Sequence, residues 1–411
     1  MQAIFNSLGS NYNRQFINLA LQQLFASPKQ SAENQLTSVL SLLFDGDAFL
    51  FRKGRDSLEF ILKTANIGKD DSVLTQAFTC YAIEQAIKRT GASTAYIDVA
   101  KGTINLSVET LDKSFKKNPK AKAVIVQYSL GTVADIVKIK KFCKKNNLLL
   151  IEDLAQGFGG KDNKGIPLGT HGDAVLLSFG RDKIIDAVSG GAAIIKKDKL
   201  KAQQQYSELE KNEPLSNSKK DRSKILFYPC LSSTIRSTYN MGLGKLIHYL
   251  LKKIGFFYSP LKSSFQTMQT MPRYLIPLVL YQYQILEKEL KHRRSIASTY
   301  YQELKKIKEI KLVTTNFDIE HGSNLRFAFT TSNPKKLLNT LSSNDIHLTD
   351  RWYRRAVDCS TIKCNSSYIA NSCPNAELIA SKIINLPTHQ QINQDKALKI
   401  SKVISMLYGA K

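Results

Sequence analysis

Short apolar runs alternate with stretches of helical spacing through the first half of the chain. Residues 72–75, 94–99, 123–127, 148–151, 174–178 and 192–195 each form a run of four to six mostly apolar residues. Runs of this length that stay apolar, rather than alternating with polar residues, suit strands covered on both faces. Between them, 81–89 and 133–145 carry apolar residues at helical spacing, the second stopped by Asn146-Asn147. The alternation predicts βαβ units and a mostly parallel sheet covered by helices, an α/β architecture. In such sheets ligands sit beyond the carboxyl ends of the strands, where Asp98, Asp153 and Ser178 fall.

The flanking segments extend this pattern. Residues 14–45 have helical spacing broken at Ser27-Pro28, and 57–66 read as a helix stopped near Gly68. Residues 205–225 are polar, with a break at Pro214, and read as an exposed connection. Leu243, Leu246, Ile247, Leu250, Leu251 and Ile254 then line one face of a helix, with Lys245, His248, Lys252 and Lys253 on the other. A basic amphipathic segment near 241–262 either packs on this chain or a second subunit, or lies on an anionic membrane surface. A long helix is expected over 275–304. Strands at 311–314, 325–330 and 346–348, with helices at 335–342 and 395–407, then suggest a smaller α+β unit. The expected division is a large α/β domain over 1–278, including the basic amphipathic segment, and a small C-terminal α+β domain over 279–411.

Composition narrows the setting. The chain has 411 residues, 43% hydrophobic and 23% charged, the profile of a globular protein with a large core. No apolar run approaches the ~18 residues of a membrane span. MQAIFNSLGSNYNRQF lacks the basic start and apolar core of a signal peptide, so a cytoplasmic location is expected, with peripheral contact at the inner membrane surface as the variant. The six cysteines form no C-x-x-C pair. Cys359, Cys364 and Cys373 with His389 make the one conceivable ligand group, but free thiols and no metal are expected. A net charge of +25 suits nucleic acid, an anionic membrane or phosphorylated small molecules, or lysines on solvated helix faces such as Lys138, Lys140, Lys141, Lys144 and Lys145. With no basic tail, zinc finger or aromatic-interleaved RNA signature, no nucleic-acid partner is expected.

Three short stretches carry chemistry. In LLLIEDLAQ (148–156) a buried strand ends on two acids, a costly arrangement unless a positive or hydrogen-bonding group meets them. In SFGRDK (178–183) a lysine stands in a loop at the ligand edge, 30 positions after Asp153. A pyridine-ring cofactor requires this pair: a lysine to trap its aldehyde and a carboxylate to keep its ring nitrogen protonated. In GRDSL (54–58) a loop enters a helix, where free N–H groups and the helix dipole favour a phosphate, although Asp56 or Ser57 equally suits a plain N-cap.

With these stretches in order, the sequence resembles the DegT/DnrJ/EryC1/StrS family of pyridoxal-phosphate-dependent sugar aminotransferases. GRDSL, SVLTQAFTCYAIEQAIKRTGASTAYIDV (72–99), VQYSLGTVADI (126–136), LLIEDLAQGFGG (149–160), the lysine segment 172–195 and CPNAELIASKIINLPTH (373–389) follow the family order over most of the chain. The resemblance implies the type I aminotransferase fold in a homodimer with active sites at the subunit interface. It implies Lys183 as the Schiff-base lysine and Asp153 as the partner of the pyridinium nitrogen. Gln156 would lie near the ring's phenolic oxygen, and Ser178, Gly54, Arg55 and Asp56 would stand around the phosphate. It implies a keto sugar, usually linked to a nucleotide, as acceptor, and glutamate or glutamine as amino donor. Gly180-Arg181 replaces the family's aromatic or proline pair. Cys80 stands at the ring-stacking position, with Tyr81 adjacent as its expected substitute. MQTMPR (268–273) occupies the place of an asparagine–x–arginine that reaches the partner's phosphate. These departures leave a second reading open: a catalytically inactive paralogue with a regulatory or scaffolding role. Arg351, Tyr353 and Arg354 in DRWYRR read as surface charge or as anion contacts.

Overall fold

A computed structural model describes residues 3–26, 29–212, 219–256, 267–348, 352–359 and 365–409. The strand runs assemble into one seven-stranded sheet: β1 (Asp47–Phe51), β2 (Ser72–Gln76), β3 (Ser93–Ile97), β4 (Ala121–Gln127), β5 (Leu149–Asp153), β6 (Ala174–Ser178) and β7 (Gly191–Ile195). Their spatial order is β1-β7-β6-β5-β4-β2-β3. From β6 to β3 every pairing is parallel, whereas β7 runs antiparallel to both β6 and β1. β4, β5 and β6 sit side by side at its centre, so their carboxyl ends open on one shared edge.

β1 was not anticipated, although Asp45-Gly46-Asp47 sets its apolar residues 48–51 apart from the helix Gln30–Phe44. Asp45 separates the two by taking a left-handed conformation, φ 53°, which ends the helix and turns the chain into the sheet. The stretch 205–225, expected as an exposed connection, is largely helical, in Lys199–Asn212 and Lys219–Thr238. Its polar composition concealed Ile225, Leu226 and Tyr228, which the tertiary fold buries. The expected long helix is two, Ile276–Gln284 and Leu286–Leu304, joined at Ile285.

Beyond the sheet, β8 (Ile310–Leu312), β9 (Arg326–Thr331) and β10 (Ile383–Pro387) form an antiparallel sheet in the order β8-β9-β10. Leu286–Leu304 and Gln394–Leu407 supply Ile296, Tyr300, Ile400 and Ile404 to its core. Two pairings tie this region to the rest. Ile4–Phe5 pairs with Ile346–His347, and Val357–Asp358 pairs with Thr79–Cys80 at the ligand edge of the large sheet. Among the described residues no helix is long and apolar enough to cross a membrane, and no cluster of three or more His, Cys, Asp or Glu could hold a metal. Cys80, Cys143, Cys230 and Cys373 are free thiols. Cys359 is disulfide-bonded, a correction to the expectation of free thiols, and Cys364 lies outside the described residues. His389 is buried with Nε2 3.0 Å from the Phe5 carbonyl oxygen.

The two acids that end β5 face opposite sides of the sheet, as strand alternation requires. Glu152, fully buried, accepts from the backbone N–H groups of Gly169, His171 and Gly172 at 2.6–2.8 Å and from the Tyr128 hydroxyl at 2.5 Å. A carboxylate so surrounded is the folded core of the loop before β6, and removing it would leave three amide donors buried without a partner. Glu152→Ala is therefore expected to lower the unfolding free energy by roughly 3 kcal/mol in urea titration, and Glu152→Gln by less.

Candidate active site

Asp153 takes the other side, facing a cavity of about 770 Å³ at the shared carboxyl edge of β4, β5 and β6. Gln127, ending β4, donates from Nε2 to Asp153 Oδ2 at 3.0 Å, and the Ala155 N–H donates to Oδ1 at 2.9 Å. Burial pushes the Asp153 carboxyl above its ordinary range. The Ala155 and Gln127 hydrogen bonds and the Lys183 charge pull it the other way. Among the described residues no donor reaches Gln127 Oε1, which is buried beside it. The site thus holds a buried carboxylate whose charge the protein stabilises only in part, which fits a cationic ring nitrogen.

Lys183 lies in the loop that leaves β6 and returns as β7. Asp186 organises that loop from its interior, accepting from the Tyr12 hydroxyl at 2.6 Å and from the Asp182 and Val188 N–H groups at 2.8 and 3.0 Å. Burial, followed by the Asp182 charge, pushes Asp186 up to about 7. Asn11 donates from Nδ2 to the Lys183 carbonyl oxygen at 3.0 Å. The Lys183 ammonium lies 5.3 Å from the centre of the Trp352 ring, which lines the same cavity. Asn11 and Tyr12 were not legible as site-shaping residues, since their partners are 172 and 174 positions away.

The phosphate end is built by glycines. The helix Gly54–Thr64 starts three residues earlier than its apolar spacing suggested, with its first residue against the end of β6. A Cβ on Gly54 would lie 2.9 Å from Ser178 Cβ, and one on Gly191 would lie 2.6 Å from the Gly54 nitrogen. Only glycine lets the helix start and two strand ends meet this closely. Lys53, Gly54, Arg55 and Ser178 all line the cavity there. Lys53, absent from the sequence reading, is pushed down to about 8 by burial and then by the Arg55 charge. Burial also lowers Arg55, whose Nη1 donates to Gln85 Oε1 at 2.6 Å.

Other expected residues are placed differently. Asp56 is not part of the cavity wall: its carboxylate pairs with Arg89 at 2.9 Å, and burial raises it to about 6. Tyr81 donates its hydroxyl to the Asn365 carbonyl at 3.0 Å, and Cys80 rather than Tyr81 lines the cavity. The helix that begins at Tyr81 turns its first side chain outward, which is why the substitute aromatic does not reach the ring position. Gln156 is engaged at both ends, accepting from the Leu130 N–H at 2.6 Å and donating to the Tyr353 hydroxyl at 2.7 Å. Tyr353 is 4% exposed and packs on Phe78, which corrects the surface reading of DRWYRR at that position, whereas Arg354 is exposed as expected. Trp352, Tyr353 and Arg354 line the cavity, and Arg351 lies outside the described residues. The chain's one tryptophan, within that motif, was the available signal. Arg273 pairs with Glu33 at 2.8 Å.

The model of the DegT/DnrJ/EryC1/StrS aminotransferase family matches residues 46–223 and 271–405, with 224–270 between the two matched blocks. The chain belongs to this family. Its large sheet, its lysine loop and the entry to Gly54–Thr64 all lie in the first block. A GDP-perosamine synthase of Escherichia coli O157:H7 is 30% identical over 185 residues, 44% of this chain and 49% of that protein. A pleiotropic regulatory protein of Geobacillus stearothermophilus is 34% identical over 145 residues, 35% of this chain and 38% of that protein. The chain thus spans less than half the length of these curated relatives in its matches. Among solved structures, DesV of S. venezuelae in complex with a ketimine intermediate superposes with a TM-score of 0.76 at 18% identity, covering 99% of this chain and 98% of that one. The sugar aminotransferase Spr1654 of Streptococcus pneumoniae, titled putative, superposes in its PMP form with a TM-score of 0.74 at 17% identity, covering 97% of each chain. The fold is that of these aminotransferases.

Because Lys53 titrates near 8, its charge is present below that pH and is lost as pH rises through it. Sulfate, a dianion throughout this range, followed by the fluorescence of Trp352, is expected to bind about threefold more weakly at pH 9 than at pH 7, the worth of a ~1 kcal/mol ion pair that most molecules hold at the lower pH and few at the higher. Lys53→Arg should remove that pH dependence.

Proposed function

We propose that the protein is a pyridoxal-phosphate-dependent aminotransferase that moves an amino group from glutamate or glutamine to a keto sugar linked to a nucleotide. The observation that carries this reading is the convergence of Asp153 and Lys183, from two neighbouring strand ends, on one cavity whose far end is the glycine-built start of Gly54–Thr64. Family membership and the names of its relatives, which include a GDP-perosamine synthase and a dTDP-3-amino-3,4,6-trideoxy-alpha-D-glucose transaminase, support the substrate class.

Pyridoxal phosphate, when bound, supplies an aldehyde carbon and an electron-withdrawing ring. Lys183 Nζ would hold that aldehyde covalently and would serve as the base that moves the proton at the donor's Cα. Asp153 keeps a proton on the ring nitrogen, and its partly uncompensated burial favours a cationic partner. Ser178, Gly54, Arg55 and Lys53 receive the phosphate. Gln156, held by Leu130 and Tyr353, fixes the side of the site beside the ring oxygen. Asp56 and Tyr81 stand outside the cavity wall, held by Arg89 and by the Asn365 carbonyl. A homodimer, and a division near residue 278 between the two sheets, belong to the same proposal, with a buried cluster of Phe78, Leu130, Ala328 and Ile383 joining the two sides.

Purified protein is expected to be yellow, and borohydride should fix the cofactor on the peptide that contains Lys183. Lys183→Ala should abolish that adduct. Asp153→Asn should keep binding but cut turnover by roughly 100-fold or more. A panel of UDP-, GDP- and dTDP-linked keto sugars with glutamate or glutamine would identify the acceptor. Colourless protein that neither binds added pyridoxal phosphate nor forms the adduct would overturn this reading in favour of an inactive paralogue.

A further inference from the structure

Between the two blocks of the family match, the described residues 224–256 carry two helices beside the cavity, which Ile225, Tyr228, Tyr239 and His248 help to line. Lys219–Thr238 buries Ile225, Leu226 and Tyr228, and it turns through Tyr239–Met241 into the helix Leu243–Lys253. That second helix is held from one side. Gly244 is buried so closely that a Cβ would lie 2.3 Å from the Ile235 carbonyl oxygen, and His248 reaches the cavity wall. Its other side carries the apolar stripe, of which Ile247 and Leu251 are half-buried while Leu243, Leu246, Leu250 and Ile254 are 50%, 55%, 49% and 72% exposed. Tyr249 and Met241 add 63% and 80% exposed side chains beside it. An apolar helix face left uncovered in this way marks a docking surface.

The charge around the stripe decides what covers it. No Asp or Glu occurs between Asp221 and Glu287, while that interval holds eight Lys and Arg residues. Lys245, Lys252 and Lys253 stand exposed on the same helix. In a two-fold contact the patch would meet its own copy, lysine against lysine with no acid in the interval to answer it. An anionic bilayer offers both an apolar layer for the leucines and phosphate charge for the lysines. We propose that the helix Leu243–Lys253 seats the protein on an anionic membrane surface, with the cavity mouth beside the headgroups. The inference does not depend on the chemistry of the site.

The full chain is expected to co-sediment with phosphatidylglycerol–phosphatidylcholine vesicles, to bind pure phosphatidylcholine vesicles at least tenfold more weakly, and to be released by salt. Leu246→Asp with Leu250→Asp should abolish vesicle binding without changing the melting temperature, since both side chains face solvent in the free protein. Lys252→Ala and Lys253→Ala should each weaken binding about fivefold. Absence of binding to the anionic vesicles would overturn the proposal. So would sedimentation velocity showing that the paired leucine substitutions break a dimer while vesicle binding is unaffected, because the face would then be a subunit interface.

Discussion

Two adjacent carboxylates at the end of a central strand, both removed from water, are the constraint from which the architecture of the site follows. Neither could be buried without an answer, and the fold answers them differently on the two sides of the sheet. On one side, three amides and a phenol close around Glu152, and the loop that leads to β6 is wound to bring those amides in. On the other, Asp153 receives one amide and one glutamine and is left with its charge partly unanswered. The structural acid makes the position of the chemical acid rigid. A site group held this way needs no adjustment when its ligand arrives.

The lysine is placed by a separate device. Asp186 ties the interior of the β6–β7 loop to Tyr12, and Asn11 holds the Lys183 carbonyl, so the N-terminal segment sets the position of a residue 172 positions along the chain. The same segment pairs through Ile4–Phe5 with Ile346–His347, which links the C-terminal region to the lysine loop. Trp352, reaching in from that region, then covers the ammonium. The cavity is therefore closed by parts of the chain that share no local sequence relation.

Much of the frame was legible beforehand because its causes are local. Six of the seven strands of the large sheet follow from apolar runs, and the order of DLAQ, SFGRDK and GRDSL placed two strand ends and a helix start on one edge. The boundaries that moved did so for identifiable reasons. β1 was hidden behind a helix until Asp45 turned left-handed. Lys199–Asn212 and Lys219–Thr238 looked like a connection because few of their residues are apolar, and their burial comes from elsewhere in the fold. Asp56 looked like a phosphate neighbour because it stands next to Arg55, but on a helix the next residue points about 100° away, and Arg89 was there to meet it.

The sequence by itself determined the α/β frame, the strand that delivers Asp153, the lysine 30 positions later and the amphipathic character of 243–254, because each depends on spacing along a few residues. Tertiary structure alone decided which side chains share the cavity. Lys53, Trp352 and Tyr353 enter it and Tyr81 leaves it through contacts across hundreds of positions. It also decided which way the amphipathic helix faces. Spacing shows that a helix has an apolar side; only the packing of Gly244 against Ile235 shows that its Leu243, Leu246, Leu250 and Ile254 edge is turned to solvent while Ile247 and Leu251 stay half-buried.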